Sequence, residues 1–190
     1  VSARLTISAY ENLVSSAERR MLYNKEKNTF VRVNDLSGVL PSVNGKIELV
    51  YEGEQEGGVL VAQNLISKSI RNHFLKLFPD PNLLKKKKTD NPYKPIIDWF
   101  GNNNTANLFF KKKKKNYRKI LDSISGLSET VELFHPEVKK NDKYVLMEFL
   151  LHGLAEHSQL SKKQLEIGTE FKDVAGSLFD VDDFLKGNSN

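Results

Sequence analysis

Residues 8–24 read SAYENLVSSAERRMLYN, and this stretch sets the fold class. Ser8 and Glu11 stand three apart, as in a capping box, where the hydroxyl accepts a free first-turn amide and the carboxylate reaches back to the serine N–H. Tyr10, Leu13, Val14, Ala17 and Met21 follow at helical spacing. Arg19, Arg20 and Lys25 fall toward the far end, where positive charge suits the negative pole of a helix dipole. The pattern predicts an amphipathic helix over 8–24.

Outward from this stretch the helical period returns repeatedly, which predicts a mostly α protein. Thr29-Phe30-Val31 reads as a short β-prone bridge, and Val33, Leu36, Val39 and Leu40 as a second, shorter stripe stopped near Pro41. KIELVYE at 46–52 fits either a strand or a helical turn. From about Glu56, Val59, Ala62, Leu65, Ile66, Ile70, Phe74 and Leu77 share one face of a long helix ending before Pro79. Residues 79–95 hold four of the six prolines and read as a loop. Ile96, Ile97, Trp99 and Phe100 read as a core anchor rather than a ligand platform. A second loop is expected near 101–116. Further helices are expected at about 117–125, from Ser128 to His135-Pro136, and at 141–157, with Ser161 capping another before Leu165. The tail GNSN has the composition of disorder, and no internal repeat is present.

The chain of 190 residues fits one domain, or one domain with a long extension. No apolar run approaches the length of a membrane span. VSARLT at the start lacks the basic and apolar segments of a signal peptide, and without an initiator Met the chain reads as part of something longer. The absence of cysteine excludes disulfides and cysteine-ligated zinc, and it fits a cytoplasmic protein. The net charge of +5 is confined to two blocks, Lys85–Lys88 and Lys111–Lys115; without those nine lysines the remainder is −4. Such blocks repel themselves and read as solvated, mobile loops, so the charge distribution argues against nucleic acid as partner. A basic nucleic-acid-binding or transcription-regulating helical domain remains the alternative class.

Motifs for chemistry are sparse. A phosphate loop needs G-x-x-x-x-G-K-[ST]. Gly45-Lys46 is followed by Ile47, and Leu40 stands where the first glycine belongs. His152 and His157 lie five apart, about 140° around a helix, so they cannot share a metal. His152 and Glu156 share a face but are too few for a site, and neither HExxH nor GxSxG occurs. These histidines read as surface or cap-adjacent. No catalytic residues and no metal site are expected.

Val1-Ser-Ala-Arg4-Leu-Thr, running straight into an amphipathic helix, resembles the sensor-2 segment of AAA+ ATPases of the magnesium-chelatase (subunit I-like) and MoxR branch. Phe30-Val31-Arg-Val33-Asn-Asp35-Leu36 is similar to the bridge and next lid helix of that branch, and GKIELVYEGEQEG at 45–57 resembles a stretch of its bacterial members. The resemblance covers roughly residues 1–78. It implies a helical bundle comprising the end of an AAA+ lid (1–50) and a family-specific C-terminal helical extension (51–186). It implies that Arg4 is the nucleotide-contacting sensor-2 arginine, and that Glu52, Glu54 and Glu56 are candidates for a subunit or partner contact. ATP and Mg2+ would be bound by the parent protein rather than by this chain. The implied partners are other subunits of a hexameric ring and a protein with a von Willebrand A-type domain.

Overall fold

The computed structural model describes residues 3–43, 57–86, 91–110, 112–165 and 168–175. Gly45-Lys46, the 46–52 alternation, Glu52, Glu54, Glu56, Lys87, Lys88 and the C-terminal tail lie outside those residues. The chain is mostly helical. In order it forms α1 (Ala3–Tyr23), a 3-10 segment (Val33–Val39), α2 (Leu40–Val43), α3 (Gly58–Leu77), α4 (Pro81–Lys86) and α5 (Lys94–Gly101). Then come β1 (Ala106–Phe109), α6 (Lys114–Asp122), α7 (Leu127–Phe134), α8 (Lys140–Glu156), β2 (Ser161–Leu165) and β3 (Gly168–Lys172).

The helix predicted over 8–24 is real but begins at Ala3. Ser8 therefore lies inside it, and the expected capping box does not mark its start. Arg4-Leu5-Thr6-Ile7 contains no breaker, and once a helix is nucleated each added residue brings a hydrogen bond. The buried face also differs from the apolar stripe: Tyr10 is 68% exposed, while Ser16, Ala17 and Arg20 are buried. Close approach explains this. A Cβ at Gly38 would lie 2.7 Å from Ser16 Cβ, so α1 and the 3-10 segment meet through their smallest residues. The second stripe is the 3-10 segment, and Pro41 sits within the first turn of α2 rather than stopping a helix before it.

The helix from about Glu56 is α3, ending at Leu77 as its pattern predicts. It buries Ala62, Ile70 and Phe74 against α8, while Val59, Leu65 and Leu77 stay exposed. The proline-rich stretch 79–95 carries a short helix, α4, begun by Pro81, and it is pinned at both ends of its loop. The Tyr93 hydroxyl donates to the Pro79 carbonyl at 2.7 Å, and the Thr130 hydroxyl to that of Pro92 at 3.0 Å. Ile96 and Phe100 are fully buried, as a core anchor should be.

Two expectations give way to a small sheet. The stretch 101–116 contains β1, with Ala106 and Leu108 buried, and Lys114 and Lys115 start α6 instead of lying in a loop. Ser161 opens β2 rather than capping a helix. The sheet is antiparallel in the order β1-β3-β2, with Ala106 opposite Phe171 and Ser161 opposite Lys172. Strands this short carry little periodic signal, and their stability comes from pairing and from one covered face.

The core lies between α3, α5, α6, α7, α8 and the sheet, built on Phe74, Ile96, Phe100, Leu121, Leu150 and Phe171. Its tightest contact is between helices. A Cβ on Gly153 of α8 would fall 1.9 Å from Phe74 Cδ2 of α3. Gly153→Ala should therefore lower stability by about 1–3 kcal/mol through overpacking. Phe74→Leu made alongside it should give a double mutant more stable than the sum of the single effects predicts, as read by denaturant unfolding.

Candidate functional site

Arg4 lies in the first turn of α1 with its side chain exposed. The acidic group Glu52, Glu54 and Glu56 lies outside the described residues, so the two sets of predicted contact residues cannot be placed relative to one another. What the structure does bring together is a buried polar interlock around residues 20–35, which sequence reasoning missed.

The interlock begins with Arg20 on α1. Its Nε donates to Asp35 Oδ1 at 3.1 Å, and its Nη2 donates to Asp35 Oδ2 at 2.8 Å and to the Phe30 carbonyl at 2.7 Å. Asp35 Oδ2 also accepts the backbone N–H of Arg32 at 2.8 Å, which closes the entry of the 3-10 segment. The next two amides, Val33 and Asn34, donate to Glu148 Oε2 and Oε1 at 3.0 and 3.2 Å. A carboxylate on α8 thus caps a helical segment 115 residues earlier in the chain. Tyr117 donates its hydroxyl to Glu148 Oε2 at 2.9 Å. The Arg32 guanidinium lies 4.0 Å over the Tyr117 ring. The set holds two cations, Arg20 and Arg32, and two carboxylates, Asp35 and Glu148, so its formal charge balances.

Burial is the largest influence on the titration of Glu148, Tyr117 and Arg32. It raises the Glu148 carboxyl above its ordinary value, against hydrogen bonds from Tyr117, Val33 and Asn34 and the nearby Arg32 charge. It pushes the Tyr117 hydroxyl well up, with the Glu148 charge adding to the effect, so the phenol stays a donor. Arg32 is lowered by desolvation and then by Arg20. A signal for Glu148 was present in LMEFLL at 146–151, where a lone carboxylate stands inside an apolar run. Arg20 read as an ordinary helix-end cation because its partner lies beyond a connection with no periodic pattern.

His157 is the C-cap residue of α8, in keeping with the cap-adjacent reading, whereas His152 lies inside the helix and away from the surface. Both His152 and His157 are buried, and neither ring has a hydrogen-bond partner among the described residues. His152 stands edge-on to Phe171 at 4.9 Å, and His157 packs 5.2 Å from Phe74. Glu156 pairs with Lys162 instead of joining His152. His73 bonds the Ser69 carbonyl and His135 that of Leu77. Among the described residues no group of three or more His, Cys, Asp or Glu could hold a metal ion, and no helix is long and apolar enough to cross a membrane.

The second lysine block forms a surface. Lys113, Lys114, Lys115, Arg118 and Lys140 line a groove of about 570 Å³ that also contains Glu26 and Asp122. Glu26 accepts the Lys114 backbone N–H at 2.5 Å, at the start of α6. The Lys114 amine is lowered by desolvation and by the neighbouring Arg118. Comparison of the chain with protein-family models, curated proteins and solved structures returns no match.

Two outcomes follow for stability. Asp35→Ala leaves Arg20 and the Arg32 amide without their partner in the interior. It should cost about 3–5 kcal/mol in urea unfolding, whereas Arg20→Met with Asp35→Leu should recover much of that loss. The second concerns pH. The folded chain holds His152 well below its ordinary 6.5, by burial and then by the Lys162 charge. The unfolded chain therefore takes up a proton that the folded chain refuses, and stability present above about pH 6.5 falls as pH drops. Glu148 acts oppositely: its raised folded value means stability falls as pH rises through the window above 4.5. His152→Leu should reduce the loss of stability between about pH 7.5 and about pH 5.5 by about 1 kcal/mol. An unchanged pH profile would show that the imidazole does not carry the effect.

Proposed function

We propose that this chain forms the C-terminal, non-catalytic region of a magnesium-chelatase-like AAA+ ATPase and supplies its sensor-2 arginine, Arg4. The observation that carries the reading is a helix–bridge–helical segment in the order the resemblance leads one to expect. Arg4 stands exposed in the first turn of α1, and at the other end Arg20 is locked to Asp35 and the Phe30 carbonyl across the bridge. A planar guanidinium, always charged, suits a terminal phosphate. A rigid helix behind it suits the conversion of phosphate loss into lid rotation. ATP and Mg2+ would be held by the ATPase core of the parent protein, as the resemblance implies. The parent would work as a cytoplasmic hexameric ring that remodels a partner carrying a von Willebrand A-type domain. Residues Glu52, Glu54 and Glu56 would contribute to a subunit or partner contact.

In the full parent protein, Arg4→Ala should slow ATP hydrolysis by about 10- to 100-fold, the worth of a charge-assisted hydrogen bond. The same substitution in this chain should leave its unfolding free energy within about 0.5 kcal/mol, because the side chain is on the surface. Hydrolysis and ring assembly at the parental rate in the variant would overturn the assignment.

One observation favours a second reading, nucleic-acid binding: the lysine groove at the start of α6. That reading requires duplex binding that weakens steeply with salt and is lost when Lys113, Lys115 and Arg118 become alanine together.

A further inference from the structure

A cleft of about 210 Å³ opens where the 3-10 segment, α2, α3, α8 and β2 meet. One side mixes the aliphatic Leu36, Leu40, Ile66 and Ile70 with the polar Gln63 and Asn64 of α3. The other is polar, with Asn34, Gln164, Lys162 and His152. Most of that polar side is already engaged. Asn34 donates to the Leu108 carbonyl at 2.7 Å and accepts the Thr169 hydroxyl at 2.5 Å. Gln164 Oε1 lies 2.9 Å from the same hydroxyl and shares its one proton, and Gln164 Nε2 donates to the Gly168 carbonyl at 3.4 Å. Lys162 donates to Glu156 at 2.5 Å.

His152 is the exception. It is 4% exposed, it lines the cleft, and neither ring nitrogen has a hydrogen-bond partner among the described residues. A neutral imidazole carries one donor and one acceptor, and buried polar groups in folded proteins are almost always satisfied. Burial and the nearby Lys162 both disfavour the imidazolium, so the ring meets the cleft uncharged.

We infer that this cleft is a binding site for a small, uncharged, amphipathic molecule whose carboxamide or hydroxyl head hydrogen-bonds His152 while a branched aliphatic body lies against Leu36, Ile66 and Ile70. The volume sets the size. An apolar cavity of about 150 Å³ admits benzene, so about six to eight non-hydrogen atoms fit here. The charge state follows from the lining. Lys162 is the one charged side chain among the described lining residues and is already paired with Glu156, so a carboxylate would be desolvated without a free counter-ion. A cationic head would face the same ammonium. A carboxamide offers both N–H and C=O, and therefore serves either tautomer of His152. The inference does not rest on the ATPase reading.

The test is an NMR titration of the 190-residue chain with 3-methylbutanamide, following the His152 ring signals, with 3-methylbutanoate and 3-methylbutylamine as isosteric charged controls. The amide should give saturable shifts at His152 with Kd in about the millimolar range, as its size allows. Both charged probes should bind at least about fivefold more weakly, because the lining offers neither charge a free counter-ion. His152→Leu should weaken the amide about tenfold, the worth of one hydrogen bond, and Ile66→Trp should abolish binding by filling the cleft. Ile66 is half-buried at the cleft wall, so that variant serves even if His152→Leu fails to fold. No saturable change at His152, equal affinity for a charged probe, or undiminished binding in either folded variant would overturn the site.

Discussion

Two oxygens of Glu148 accept the amides of Val33 and Asn34, and the architecture depends on that contact. The start of a 3-10 segment has free N–H groups that water cannot reach here, so something in the protein must receive them. A carboxylate from the middle of α8 does so. In turn Glu148 would be intolerable in a fully buried position without those donors and Tyr117. Each side of the junction thus supplies what the other lacks, and α1 is tied through the Arg20–Asp35 pair to the bundle that follows.

The neighbouring contacts extend the same junction. Asn34 reaches β1 through the Leu108 carbonyl and β3 through Thr169, so one short segment touches α8, two strands and, through Asp35, α1. Arg32 completes it by lying over Tyr117, where a cation can be held by a ring face in place of some of its hydrogen bonds. The lining of the cleft is a by-product of this arrangement. Asn34 and Gln164 are held by partners of their own, whereas the buried His152 ring faces the space with no hydrogen-bond partner among the described residues.

The long helices were legible because each buries a stripe recurring every three or four residues. α3 and α8 appear within two residues of where their patterns place them. The sheet was not legible, since β1, β2 and β3 are four or five residues each and their pairing is set by partners far along the chain. The start of α1 was misplaced because Ser8 and Glu11 have the spacing of a cap but nothing upstream stops the helix. Of the site residues, Arg4 came from a resemblance, and its role stands as a proposal. His152 came from the structure: its surroundings include Phe171 and Lys162, residues that no local pattern around position 152 foretells.

The sequence separations in this junction also bear on biosynthesis. Val33 waits for Glu148, and Asn34 waits for Thr169, 135 residues later. During translation α1 and the 3-10 segment cannot acquire these partners until the chain as far as Thr169 has left the ribosome. Long-range closure of this kind slows folding. The amides of Val33 and Asn34 and the Asn34 side chain therefore stay without their native partners until α8 and β3 have been made, and β3 completes the lock.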